Sequence, residues 1–183
     1  MCGLSARPPA RGEKRPPAGE PPDHALGRSR GGWGTKLHLV TDAAGLPLAV
    51  LLSAGQRQEA LYAQALLDAV RIVQPSGQRR SRPEQLAGDR GYSHRRIRRW
   101  LRAHHIRAVI PERRDQIAQH RGRPPAFDAA QYRRRNTVER TIGWLKQARA
   151  IATRYDKLAL HYLAQLKLAM IRLYLRRLLS DKL

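Results

Sequence analysis

Cysteine is almost absent from this chain of 183 residues: the single one, Cys2, permits no internal disulfide framework and no thiolate zinc cage. Acidic residues are scarce too, 14 Asp and Glu against 36 Lys and Arg, so any carboxylate placed where a strand ends stands out. No apolar run follows Met1, and without one there is no export signal. The most apolar stretch, Leu158 to Leu179, carries Lys167, Arg172, Arg176 and Arg177. Charges at those positions are costly in hydrocarbon, so the stretch reads as an amphipathic helix, no membrane partner is expected, and the chain should stay in the cytoplasm. No internal repeat is visible.

Positive charge is what the chain has in excess. A formal net charge of +22 repels itself unless it meets an anionic partner. Of the 36 cations, six are Lys and the remaining 30 are Arg, whose planar fork matches phosphate bidentately. Nucleic acid therefore leads the candidate partners. The clusters Arg95-Arg96, Arg98-Arg99, Arg113-Arg114 and Arg133-Arg134-Arg135 read as phosphate-contacting surface without base specificity. A hydrophobic content of 42% can build a core, which argues against a purely disordered basic arm. The length suits one domain plus a tail.

Residues 1–34 are dense in Pro, Gly, Arg and Ser and read as a basic, disordered leader. The domain proper spans 35–183. Lys36 to Thr41 and Leu46 to Leu52 flank a turn containing Asp42 and Gly45, the pattern of a hairpin. Leu61, Ala65, Leu66, Ala69, Val70 and Val73 recur at helical spacing, which predicts a helix over 58–73, ended by the polar segment 74–83. A short strand leads to Asp89, Ser93 caps a helix to about His105, and 106–111 forms another strand. Asp128 followed by Gln131 resembles a capping box that opens a helix to about Ala150, and a last helix spans 157–179 with Leu163, Leu166, Met170 and Leu173 on one stripe. The fold class is α/β.

Two places can carry chemistry. Asp89 sits at the carboxyl end of a strand, where open α/β sheets place their sites; it is either a metal-binding carboxylate or a turn and capping residue. The second is a helical stripe. At about 100° per residue, Tyr132, Arg135, Glu139 and Lys146 fall within roughly 60° of one face. The plainer alternative for it is a solvated face held by i,i+4 pairs such as Arg135 with Glu139. The seven His residues do not group as a metal site, and Trp100 and Trp144 read as core.

The spacing of Tyr132, Arg135, Glu139 and Lys146 resembles the signature of bacterial insertion-sequence transposases of the acidic-triad (DDE) superfamily. The resemblance extends over Gly27-Arg-Ser-Arg-Gly-Gly32, Thr35-Lys-Leu-His38, Gly55-Gln-Arg57, Gly88-Asp-Arg-Gly-Tyr92, Ile110-Pro-Glu-Arg-Arg114, Arg123-Pro-Pro-Ala-Phe127 and Arg154-Tyr-Asp-Lys157. It implies a ribonuclease H-like mixed sheet flanked by helices. It also implies Mg²⁺ or Mn²⁺ held by carboxylates, activating the attacking hydroxyl and stabilising the leaving oxygen of a phosphodiester. Carried over by position, Asp89 and Glu139 are the second and third acids and the metal ligands. Arg135 and Lys146 grip phosphates near the scissile bond, and Tyr132 contacts the element's end. The partner is double-stranded DNA, both terminal repeats and target, and the place is the nucleoid.

One part of the family pattern has no counterpart. The first catalytic Asp belongs to a strand ahead of the segment resembling Gly27 to His38. Here Pro-rich sequence stands in that place; its one Asp, Asp23, follows Pro21-Pro22, which argues against a strand. Asp42 matches a turn, not the triad. The expectation is a domain lacking its first strand, the centre of the sheet, with unpaired edges left behind. Such a chain is the carboxy-terminal catalytic portion of a transposase. It is expected to be inactive alone, as either the downstream frame of an element whose full enzyme is made by frameshifting from an upstream frame or a decayed copy; joining two ends would call for a homo-oligomer on DNA. The alternative is a non-catalytic basic DNA-binding fragment or a decayed remnant.

Overall fold

The structure, a computed structural model, describes residues 17–80, 82–119, 122 and 124–180. The first 16 residues of the expected leader, Arg123 of the Arg-Pro-Pro-Ala-Phe segment, and 181–183 of the expected domain lie outside the described residues.

β1 (Gly27–Ser29) and β2 (Gly32–Thr41) form a tight hairpin, and β2 then pairs antiparallel with β3 (Pro47–Ala54) from Thr35↔Ala54 to Thr41↔Pro47. The turn between β2 and β3 is built as its residues dictate. Gly45 adopts φ +93°, a region that costs glycine little, and Asp42 accepts the Leu46 amide at 2.8 Å. Asp42 is thus a turn residue, as its position suggested. The period-two alternation of the strands gives the sheet two apolar faces. Leu37, Leu39, Val50 and Leu52 pack with Leu145, Ile151, Tyr162 and Leu166, while Val40, Ala49 and Leu51 pack with Leu66 and Val70. The sheet is therefore sandwiched between α1 (Ala63–Asp68) on one side and α7 (Ala159–Ser180) on the other.

A small ladder of β4 (Ile72–Val73) and β5 (Arg79–Arg80) follows α1. Then β6 (Gln85–Ala87) and β7 (Arg107–Val109) pair in parallel, joined by α2 (Arg95–Ala103). Leu86 and Ala108 of this pair pack under Ile97 and Leu101 of α2 and Ala63 and Leu67 of α1. The chain closes with α3 (Arg114–Ala118), α4 (Ala129–Arg133), α5 (Asn136–Leu145), α6 (Arg149–Ala152) and α7.

The architecture is mixed α/β, but its strands lie in three separate sheets among the described residues instead of one. Among those residues the Thr35–Thr41 part of β2 has a strand on one edge only, and β6 pairs with β7 alone.

Four local readings need correction. The leader is not unstructured throughout: from residue 17 it forms turns and then β1. Long-range bonds hold it. The Glu20 carboxylate, whose side chain has no exposed surface, accepts the Ala159 and Leu160 amides at 2.8 and 3.0 Å and so caps α7. The Ala25 carbonyl accepts from Thr35 Oγ1 at 2.7 Å, and Arg154 bonds the same threonine. The helix expected over 58–73 is reduced to a 3₁₀ turn, Glu59–Leu61, and α1, because the β-branched Ile72 and Val73 pair with β5. Ser93 does not cap α2; His94 holds that position, and the Ser93 hydroxyl donates to Arg90 O at 2.7 Å. The single helix expected over 128–150 is divided into α4, α5 and α6. At each division amides bond to carbonyls three residues back, Arg135 to Tyr132 at 2.9 Å and Gln147 to Trp144 at 3.1 Å, the tighter geometry of 3₁₀ turns.

Candidate active site

Asp89 follows β6 and serves as N-cap of the 3₁₀ turn Arg90–Tyr92, its Oδ1 accepting the Gly91 amide at 2.8 Å. A β-carbon at Gly91 would lie 2.9 Å from Asp89 Oδ1 and 3.8 Å from Glu59 Oε2, so two carboxylates flank the same glycine. Both bear on Tyr92: burial, then Glu59, then Asp89 raise its pKa. Glu59 also pairs with Lys36 at 3.3 Å. Next to it, His38 is buried, bonded through Nε2 to Ser53 Oγ at 2.7 Å and stacked on Tyr62 at 4.5 Å. Burial lowers the His38 pKa, with Glu59 opposing and Lys36 adding to the drop.

Glu139 stands on α5. Its Oε1 accepts from Arg135 Nη2 at 2.7 Å, with the carboxylate more exposed than the guanidinium. Arg135 in turn lies over the Tyr132 ring, 5.4 Å from its centroid, and Tyr132 meets Phe127 at 5.4 Å between ring centroids. Burial works to lower the Arg135 pKa, but Glu139 and Tyr132 outweigh it and the net direction is up. The cation is therefore fixed in place between an aromatic face and a carboxylate.

Two anchors hold this stripe against the rest of the domain. Asp128 caps α4 through the Gln131 amide at 3.0 Å and pairs with Arg107 of β7 at 3.2 Å. Gln131 bonds Gln85 of β6 at 3.4 Å instead of returning to Asp128 as a full capping box would. At the other end the Thr141 hydroxyl of α5 donates to Gly45 O at 2.8 Å, in the turn after β2. The structure thus brings Arg135 against both Tyr132 and Glu139. Lys146 sits exposed at the C-cap of α5, and Asp89 makes none of these contacts.

Residues 9–173 match the model of the transposase DDE domain family. The chain belongs to that family. Over 136 residues this transposase domain is 35% identical to a Burkholderia cepacia protein named as a transposase for insertion sequence element IS402, covering 74% of this chain and 60% of that protein. The chain thus spans about three-fifths of that relative's length. It is also 29% identical over 147 residues to a Brucella ovis protein named as a transposase for element IS6501, covering 78% of this chain and 98% of the relative. No solved structure matches the domain significantly.

DDE transposases generally work with a divalent metal, and the donors here can be tested against that need. Hard oxygen ligands suit Mg²⁺, and Asp89 and Glu139 supply them. Each carboxylate is engaged within its own chain, however, Asp89 by the Gly91 amide and Glu139 by Arg135. No group of three or more His, Cys, Asp or Glu fit to hold a metal occurs among the described residues. The donors present fall short of a metal cage.

Glu59 is the residue that sequence reasoning missed beside Asp89. The two are thirty positions apart in the chain, and only the packing of the 3₁₀ turns at 59–61 and 90–92 joins them. Its scarcity as an acid was the sole available signal.

Proposed function

We propose that this domain is the carboxy-terminal catalytic portion of an insertion-sequence transposase that cleaves and joins DNA strands at element ends. The observation that carries the reading is Arg135, at the junction of α4 and α5, held between the Tyr132 ring and the Glu139 carboxylate. A guanidinium held beside a carboxylate sets a phosphate-binding fork next to a metal-ligating oxygen, the pairing a phosphodiester reaction needs. In this reading Arg135 and Lys146 grip backbone phosphates, Tyr132 lies against the element's end, and Asp89 and Glu139 are the second and third carboxylates of the triad. The remaining carboxylate comes from the product of an upstream frame, which also pairs with the edges of β2 and β6 that carry no strand among the described residues. Mg²⁺ or Mn²⁺ then binds to the completed set and not to this chain alone. Substrates are terminal repeats and target DNA, the place is the nucleoid within the cytoplasm, and joining two ends calls for more than one copy.

A second reading is favoured by one observation. Asp89 and Glu139 are both turned into bonds within the chain, which suits a basic DNA-binding fragment without chemistry of its own. Mg²⁺-dependent nicking of a labelled terminal-repeat duplex separates the two. The catalytic reading expects nicking only when the upstream-frame product is added, and its loss in Glu139→Gln with DNA binding kept. Silence under both conditions, with binding intact, leaves the DNA-binding fragment.

A further inference from the structure

A second basic surface lies away from the Tyr132 stripe. α2 holds five Arg and no acidic residue in nine positions. Arg98 alone turns inward: its Nη2 donates to Ile110 O at 2.6 Å, and burial lowers its pKa, with Glu112 opposing. Ile97 and Leu101 share that inner side. Arg95, Arg96, Arg99 and Arg102 are exposed, and their side chains make no hydrogen bond or ion pair with any described residue.

Spacing orders them. At about 100° per residue, Arg95, Arg99 and Arg102 fall within roughly 60° of one face, opposite the Ile97 and Leu101 side, and Arg96 flanks them. Like charges four apart on a helix destabilise it, so the row is unfavourable to the chain by itself. From Arg95 to Arg102 the helix rises about 10 Å, roughly the axial span of three nucleotides of one strand at about 3.4 Å each. The link to Asp89 is short and stiff. Only the 3₁₀ turn and Ser93-His94 intervene, Ser93 is buried, and Gln116 Nε2 donates to its carbonyl at 3.3 Å.

We infer that the outer face of α2 is a phosphate rail, on which Arg95, Arg99 and Arg102 grip successive backbone phosphates of the DNA strand that leads to Asp89. This rests on the transposase reading above and adds a contact surface to it. The rail binds without base specificity, because guanidinium to phosphate contacts position a duplex and carry no sequence information. DNA is favoured over an anionic membrane by the regular single-file spacing and by the adjacent carboxylate.

The test is the salt dependence of duplex binding by the full chain, the triple variant Arg95→Gln/Arg99→Gln/Arg102→Gln, and a control of equal charge change, Arg28→Gln/Arg30→Gln/Arg149→Gln. Each phosphate contact adds about 0.9 to the slope of log affinity against log salt. The rail predicts a loss of about two to three units of slope in the triple variant and less than one in the control. Equal loss in both, or none in the triple variant, overturns the rail and leaves the transposase reading standing. A wild-type chain without salt-sensitive DNA binding overturns the transposase reading itself, and preferential capture by phosphatidylserine vesicles overturns the choice of DNA. Thermal melts check that the triple variant folds; should it not, Arg99→Gln alone carries the test, with about one unit expected.

Discussion

At the scale of single residues, long side chains that cross the fold do more than the motif residues to hold it. Glu20 caps α7 across 139 positions of sequence, and Arg154 bonds Thr35 Oγ1 at 2.5 Å and the carbonyls of Asp156 and Lys157 at 2.9 and 3.1 Å. Burial alone would raise the Glu20 pKa, but the Leu160 and Ala159 amides and His24 prevail and lower it. A carboxylate whose folded pKa lies below its unfolded value stabilises the fold above the unfolded pKa, and that contribution fades as pH falls through the folded one. Glu20→Ala should therefore cost about 1 to 2 kcal/mol near neutral pH, read as a lower urea midpoint, and the gap to wild type should close in acid. A gap independent of pH would show that the cap is not the source. Neither contact was legible in the sequence, because nothing local marks residue 20 as the partner of residues 159 and 160. The neighbourhood of Tyr132, Arg135 and Glu139 was legible because spacings of three and four bring side chains together even across the 3₁₀ turn that separates α4 from α5.

At the scale of elements, periodicity told most where one pattern ran uninterrupted. The β2–β3 hairpin, read from two apolar runs around a glycine turn, and the long α7 stripe appear where the sequence puts them. The apolar spacing of 61–73 misled, since Leu66, Ala69, Val70 and Val73 keep helical intervals while Val73, with Ile72, lies in a ladder. Likewise nothing in 128–150 marks the two 3₁₀ tightenings that separate α4, α5 and α6. The turn after β2 couples a hairpin to the candidate site. Gly45 has φ +93°, and a β-carbon there would lie 2.8 Å from Thr137 Cγ2 of α5. Gly45→Ala should therefore destabilise by about 1 to 2 kcal/mol from backbone strain alone, more with the clash, and should loosen α5. Its measure is faster amide exchange in 137–142; an unchanged exchange pattern would show that turn and helix are independent.

At the scale of the whole molecule, charge and apolar surface oppose each other. Leu168, Ile171, Leu175, Leu178 and Leu179 are each more than half exposed on the outer side of α7, an apolar row of the kind that drives association. A net charge of +22 keeps copies apart, and screening is strong beyond about 10 Å at 0.1 M salt. Added salt without DNA should therefore raise light scattering, and the double variant Ile171→Gln/Leu175→Gln, which makes the middle of that row polar, should lower it. Scattering that falls as salt rises would show that charge does not govern solubility. The Glu20 cap on α7 also has a meaning in time. A ribosome makes residue 20 early and residues 159 and 160 late, so the nascent chain carries an unfilled clasp through most of its synthesis. The helix that closes the domain is the last described element to emerge, and until it does, the Glu20 carboxylate has no amides to cap, while β1 can already pair with β2.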